Sequence, residues 1–194
     1  MEQIMTISAI LTAEQFVSGR DELPDGGRWT ELIAGKPITL SPPTIEHGTA
    51  VLNLSKALAE YSQKEQGGYS CFELGLVTAR NPDTVRFPAI CFFTTGGLFA
   101  EADKVATEAR PGLVVEVSST NDRRRGLQQR ITDWMEWGVK LVWILDPSGK
   151  QVYAVEKGRA AQRFAEHQSL LGGTVLSGFK IGVGEIFKEP GWAR

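Results

Sequence analysis

Glu116 is the residue whose type and place most invite a chemical reading. It interrupts the run Gly112-Leu-Val-Val-Glu-Val117, which is otherwise apolar and β-branched and reads as a buried strand. A carboxylate in such a strand is costly unless a cation, a hydrogen-bond donor or a metal compensates it. Alternation along a strand sets Leu113 and Val115 on one face and Val114 and Glu116 on the other. Glu116 also lies near the strand's C-terminal end, where open α/β sheets gather ligands. Two readings stand at this level: a functional carboxylate facing a site, or a strand-end Glu that reaches solvent or pairs with an arginine.

The segment that follows supplies the arginines. Arg123, Arg124, Arg125 and Arg130 fall within eight positions. Arg130 shares a helical stripe with Leu127, Ile131 and Trp134, and Arg123 lies two turns back on it. An inward guanidinium beside an inward carboxylate is either a structural ion pair or the cationic half of an anion site. Phosphate suits the planar fork of an arginine. Arg86, in Val85-Arg-Phe-Pro88, is a further phosphate-binding candidate, and its neighbour Pro88 points to a strand edge or bulge. Glu31, between Trp29 and Ile33, reads on its own as an exposed strand residue.

These residues need elements to hold them. Thr12-Ala-Glu-Gln15 is a capping box opening a short helix. Thr30–Leu40 reads as a hairpin about Ala34-Gly35. After Ser41-Pro-Pro-Thr44, residues Val51, Leu54, Leu58 and Tyr61 define one face of a helix that ends at Gly67-Gly68. Tyr69–Thr78 and Val85–Phe93 read as two strands joined by a turn at Asn81–Thr84, and Thr94–Arg110 as a loop. Gly112–Val117, a helix stopped by Gly138, and Leu141–Leu145 form a β-α-β unit, so its strands are expected to be parallel. Gln151–Val155 returns as a hairpin partner, and Leu170–Phe187 holds one or two short segments. The expected fold class is α/β, a mixed sheet flanked by helices.

Composition excludes several alternatives. The chain has 194 residues, 42% hydrophobic and 23% charged, with a formal charge of −2. That is an ordinary globular balance, not a disordered one. At roughly 150 residues per domain, the length favours one domain. The longest apolar runs, Leu141–Leu145 and Ala89–Phe93, span five residues each, against about 20 for a membrane helix. The stretch from Met1 to Phe16 carries no basic residue before its apolar part, so it does not read as a secretory signal, and a cytoplasmic location is expected. Cys71 and Cys91 read as reduced core thiols. No Cys/His cluster suggests a zinc or iron–sulfur site, and His47 and His167 are too few to build one.

Five stretches together carry a family resemblance: Glu31-Leu-Ile-Ala-Gly35, Ser41-Pro-Pro-Thr-Ile-Glu-His47, Thr84-Val-Arg-Phe-Pro88, Leu113-Val-Val-Glu-Val-Ser-Ser119 and Gly138-Val-Lys-Leu-Val-Trp-Ile-Leu-Asp-Pro147. The chain resembles the Uma-two family of restriction endonucleases, within the PD-(D/E)XK nuclease superfamily. The likeness runs from about Thr12 to Phe187, and it implies one restriction-endonuclease-like domain over 1–194. It further implies metal-dependent hydrolysis of DNA phosphodiesters, with Mg²⁺ or Mn²⁺ as cofactor, double-stranded DNA as partner and a homodimer as assembly. Carried over by position, Glu116, Glu31 and Arg130 become the catalytic residues, and Glu116 with the Val117 carbonyl the metal ligands. Arg86 and Arg123 remain as phosphate binders.

The match is incomplete. The motif Asp after Pro88 is Ala89, and the Lys two residues past the Glu is Ser118. A Lys on the following helix corresponds to Arg130, which keeps the charge but cannot share a proton. Glu73 is a candidate substitute for the missing carboxylate. Two functions follow as expectations: an endonuclease weakened by the loss of that Asp, or an inactive nuclease-fold protein that binds nucleic acid or a protein partner. His47 is expected to cap and pack near the cleft, and Trp134 and Trp143 to sit in the core.

Overall fold

The computed structural model describes residues 10–65 and 67–189. The reading of the first 16 residues as no secretory signal rests largely on residues 1–9, which lie outside that range. The predicted capping box is present. Thr12 Oγ1 accepts from the Gln15 N–H at 3.2 Å, the Gln15 side chain accepts from the Thr12 N–H at 2.9 Å, and α1 (Ala13–Ser18) follows. The first hairpin, β1 (Thr30–Ile33) and β2 (Lys36–Thr39), turns at Ala34 and Gly35, whose φ of 48° and 75° give the turn its left-handed pair. A Cβ on Gly35 would lie 2.1 Å from Ile10 Cγ2, so only glycine fits there. Then comes α2 (Ile45–Glu65), which buries Leu54 and Leu58 of the predicted face completely, with Val51 and Tyr61 packed at its margin.

The middle of the chain departs from expectation. Tyr69–Thr78 is not one strand but β3 (Tyr69–Cys71) and β4 (Gly75–Ala79), broken at Phe72-Glu73-Leu74, where Glu73 takes φ 52°. Val85–Phe93 likewise divides into β5 (Thr84–Arg86) and β6 (Ile90–Phe93), parted by Phe87-Pro88-Ala89. The halves separate because β4 pairs with β5 while β3 pairs with β6, in different sheets. Pro88, which has no N–H to donate, sits at the crossover rather than within a ladder. The expected loop 94–110 contains one short strand, β7 (Ala106–Thr107).

The β-α-β unit forms as predicted: β8 (Leu113–Val117), α3 (Asn121–Trp137) ended by left-handed Gly138, and β9 (Leu141–Asp146), with β8 and β9 parallel. The chain then continues through β10 (Gln151–Glu156), β11 (Gln162–Phe164), β12 (Ser169–Leu171), β13 (Lys180–Gly182) and α4 (Val183–Ile186). The large mixed sheet runs β11-β10-β9-β8-β6-β3, the smaller one β2-β1-β5-β4-β7, and β12 pairs with β13 alone.

The large sheet is covered on both faces. On one, Leu113, Val115 and Val117 pack with Leu54 and Leu58 of α2 and with Trp143. On the other, Val114, Val142 and Ile144 pack with Trp134 of α3. A third cluster holds α1 against the small sheet through Phe16, Leu32 and Val85. Alternation therefore aims Glu116 at α3, and α3 is the element between the two sheets. Cys71 and Cys91 are free, buried and opposite one another in the β3–β6 register. Among the described residues no helix is long and apolar enough to cross a membrane.

Candidate functional site

Three elements converge on α3. β8 brings Glu116, β1 brings Glu31, and β5, paired antiparallel to β1, brings Arg86 alongside Glu31. All three residues and Arg130 are at least 93% buried. Arg130 bridges the carboxylates: its Nη1 donates to Glu31 Oε2 at 2.5 Å and its Nη2 to Glu116 Oε1 at 2.9 Å. Trp134 Nε1 donates to the same Glu116 oxygen at 2.7 Å. Glu31 is further held by the Phe87 N–H at 3.0 Å and by Arg86 Nη1 at 3.4 Å. Arg86 in turn donates through Nη2 to Asp133, which also accepts from Gln129 at 2.8 Å.

The electrostatics follow from this packing. Burial alone would raise the pKa of Glu31, but the charge and hydrogen bond of Arg130, the Phe87 N–H and the charge of Arg86 outweigh it, and the carboxyl is held below its ordinary range. Burial would lower that of Arg130, yet Glu116 and Glu31 raise it, so the guanidinium stays charged. Arg123 is lowered, first by burial and then by repulsion from Arg130. His47 donates to or accepts from Ser119 Oγ through Nδ1 at 3.0 Å. Burial and then Arg123 push it down to about 4, so it is neutral at pH 7.

A cleft of about 420 Å³ opens beside this network. Glu31, Glu116, Val117, Ala89 and Arg123 line it, as does Glu73 from the loop after β3. Arg130 lies behind the two carboxylates and is not part of the cleft lining. Arg86 is not brought to the cleft: with Asp133 and Gln129 it lines a second cavity, of about 600 Å³. Ser118, where the superfamily Lys was expected, is buried and donates to the Leu145 carbonyl at 3.2 Å. The Ala89 N–H donates to the Val115 carbonyl at 3.0 Å, so the position of the missing Asp abuts β8.

Sequence reading missed several contributors. Asp133 and Trp134 lie three and four residues after Arg130, on the helix face that the arginine itself marked, and that spacing was the available signal. Arg20, Arg28, Trp29 and Phe72 also line the cleft, and no local pattern singled them out.

The residues fit a divalent cation poorly. The donors on the lining are Glu31, Glu116, the Val117 carbonyl and Glu73, the candidate substitute, and the first two are already spanned by one guanidinium. Among the described residues no group of three or more His, Cys, Asp and Glu side chains is placed to hold a metal. Mg²⁺ takes hard oxygen donors, and Ala89 offers none from its side chain.

The fold has a solved counterpart. The crystal structure of a putative nuclease belonging to DUF820 from Anabaena variabilis ATCC 29413 superposes with a TM-score of 0.74 at 16% identity, over 91% of this chain and 97% of that one. The architecture is therefore that of a restriction-endonuclease-like α/β protein. Residues 20–184 match the Uma2 family, described as putative restriction endonuclease, and the chain belongs to that family. No curated protein matches it.

Proposed function

We propose that this member of a nuclease family binds nucleic acid through its cleft while its two catalytic-position carboxylates are bridged internally by an arginine rather than by metal. The observation that carries this reading is the Arg130 bridge between Glu31 and Glu116. In a metal-dependent nuclease, carboxylates hold a cation that polarises the phosphate and activates water. Here a guanidinium occupies the two carboxylates, and it neither activates water as a Lewis acid nor transfers a proton. What remains is charge complementarity. Arg20, Arg28 and Arg123 line the cleft, and Arg123 Nε is buried without a hydrogen-bond partner. An unpartnered buried donor favours an anionic oxygen.

Two assays on the purified protein test this. Supercoiled plasmid is incubated with Mg²⁺, Mn²⁺ or EDTA, using wild type, Glu116→Ala and Ala89→Asp. Wild type is expected to leave the plasmid intact in all three. Nicking that requires metal and is lost in Glu116→Ala overturns the reading in favour of the family's hydrolytic chemistry. In parallel, binding of labelled DNA is followed across a salt series in EDTA. Arg123→Ala is expected to weaken binding and to lower the salt slope by about one phosphate contact.

A further inference from the structure

We propose that the cleft accepts an unpaired nucleotide, whose base stacks on Trp29 and Phe72, rather than the flank of an intact duplex. This rests on the nucleic-acid reading above and narrows its substrate class.

The size of the cleft sets the first constraint. A cavity of about 420 Å³ is of the order that encloses a small-molecule-sized group. A duplex can lie across its rim but cannot enter, whereas one nucleotide turned out of a stack can. Its walls set the second. Phe72 is 47% exposed, an unusual cost for a large apolar ring, and it stands in the break between β3 and β4 that Glu73 turns with φ 52°. Trp29 is half-buried on the lining. Neither ring is paired with another ring among the described residues, and the Phe87 ring in the same cleft is covered more closely, by the Arg20 guanidinium at 3.9 Å against 5.8 Å for Arg28 over Trp29. Ala89 adds an apolar wall where a carboxylate would have repelled a base's π-face and its phosphate alike.

Charge sets the third. The Arg28 guanidinium lies 5.8 Å from the Trp29 ring centre, so cation and stacking surface are adjacent. That is the combination by which proteins hold single strands: an aromatic face for the base and arginine for the backbone. Arg130 offsets only one of the Glu31 and Glu116 charges, but with Arg20, Arg28 and Arg123 on the lining four guanidinium groups face the three carboxylates Glu31, Glu73 and Glu116.

The test is fluorescence anisotropy in EDTA, with a labelled single strand, a blunt duplex of the same sequence, and that duplex carrying one unpaired bulge. The single strand and the bulged duplex are expected to bind roughly ten-fold tighter than the blunt duplex. Phe72→Ala, an exposed change that spares the core, is expected to lose roughly that ten-fold for the single strand and to leave the blunt duplex unchanged. Trp29→Phe is expected to reduce the quenching of protein fluorescence that accompanies single-strand binding. If the blunt duplex binds as tightly as the single strand and Phe72→Ala alters neither, the inference fails while the nucleic-acid reading stands. If none of the three probes binds at low salt, both fail.

Discussion

Arg80 and Arg130 each gather more than one carboxylate, in opposite surroundings. Arg80 meets Glu14 at 2.8 Å, Asp83 at 2.7 Å and Glu108 at 2.6 Å, with 39% of its side chain exposed. Arg130 meets Glu31 and Glu116, at 2.5 and 2.9 Å, with 7% exposed. By a count of ion pairs Arg80 is the richer centre. Physically it is the weaker one, because water stands ready to solvate Glu14 and Glu108 whenever the arginine lets go. No such substitute exists for Glu31 and Glu116. Removing Arg130 would leave Glu116 with the Trp134 N–H, and Glu31 with the Phe87 N–H and an Arg86 contact at 3.4 Å. Each buried charge is tolerated only because the other is there.

The largest expected effect tests that asymmetry directly. Arg130→Ala should cost about 3–5 kcal/mol of stability, the usual price of stranding buried charge, measured by chemical denaturation. Arg130→Lys should recover only part of it, since one ammonium lacks the two-pronged reach that spans both carboxylates. If Arg130→Ala fails to fold, Arg130→Met combined with Glu31→Gln and Glu116→Gln keeps the question open to measurement. Removing the charges together should restore a folded protein. A loss below about 1 kcal/mol for Arg130→Ala, the range of surface pairs, would erase the distinction between the two centres.

A second test uses pH and separates the groups around the cleft. The folded pKa of His47 lies at about 4, below its ordinary 6.5, through burial and then the Arg123 charge. As pH falls, the unfolded chain takes up that proton first, so stability should decline from about pH 6.5 toward 4 and be flat above. Glu31 is also depressed, but as a carboxyl its contribution is complete above its ordinary 4.5 and is lost only as pH falls below that, toward the folded value. Thermal midpoints at pH 7.5 and 5.5 should therefore differ for wild type and differ less for His47→Gln. An unchanged difference in His47→Gln would mean that His47 is not held neutral by the cleft.

How much of this was legible in the sequence depends on the range of the interaction. Glu116 declared itself by interrupting an apolar strand, and Arg130 by sharing a stripe with Leu127, Ile131 and Trp134, so their pairing, 14 residues apart, was open to local reasoning. Glu31 was not. Its four-residue strand looks half exposed, and its burial comes from contacts with Arg86 and Arg130, 55 and 99 positions away. The same limit hid the division of 69–78 and 85–93 between two sheets. Period-two patterning says which face a residue takes, not which partner strand it finds. Arg86 shows the consequence: expected beside Glu116 and Arg123 as a phosphate binder, it lies between Glu31 and Asp133 and faces another cavity. Trp29 and Phe72 carry no periodic signal because each sits just outside a strand, Trp29 before β1 and Phe72 in the break after β3.

The smallest expected effect comes from Arg80, and it sharpens the comparison most. Arg80→Ala should cost no more than about 1 kcal/mol, and raised salt should shrink that further. Its partner Asp83 should matter more, although both belong to one ion-pair cluster. Asp83 is 7% exposed and accepts from the Ala13 N–H at 2.8 Å and the Asn81 N–H at 3.1 Å, so it caps the first residue of α1 from 70 positions away. Losing that acceptor leaves the buried Ala13 N–H unpaired, and Asp83→Ala should cost about 1–3 kcal/mol. Denaturation of the two variants side by side decides the matter. A larger loss in Asp83→Ala than in Arg80→Ala means that the carboxylate acts through the backbone and the arginine only screens it. The reverse order would mean that the exposed cluster, like the buried one, depends on its guanidinium.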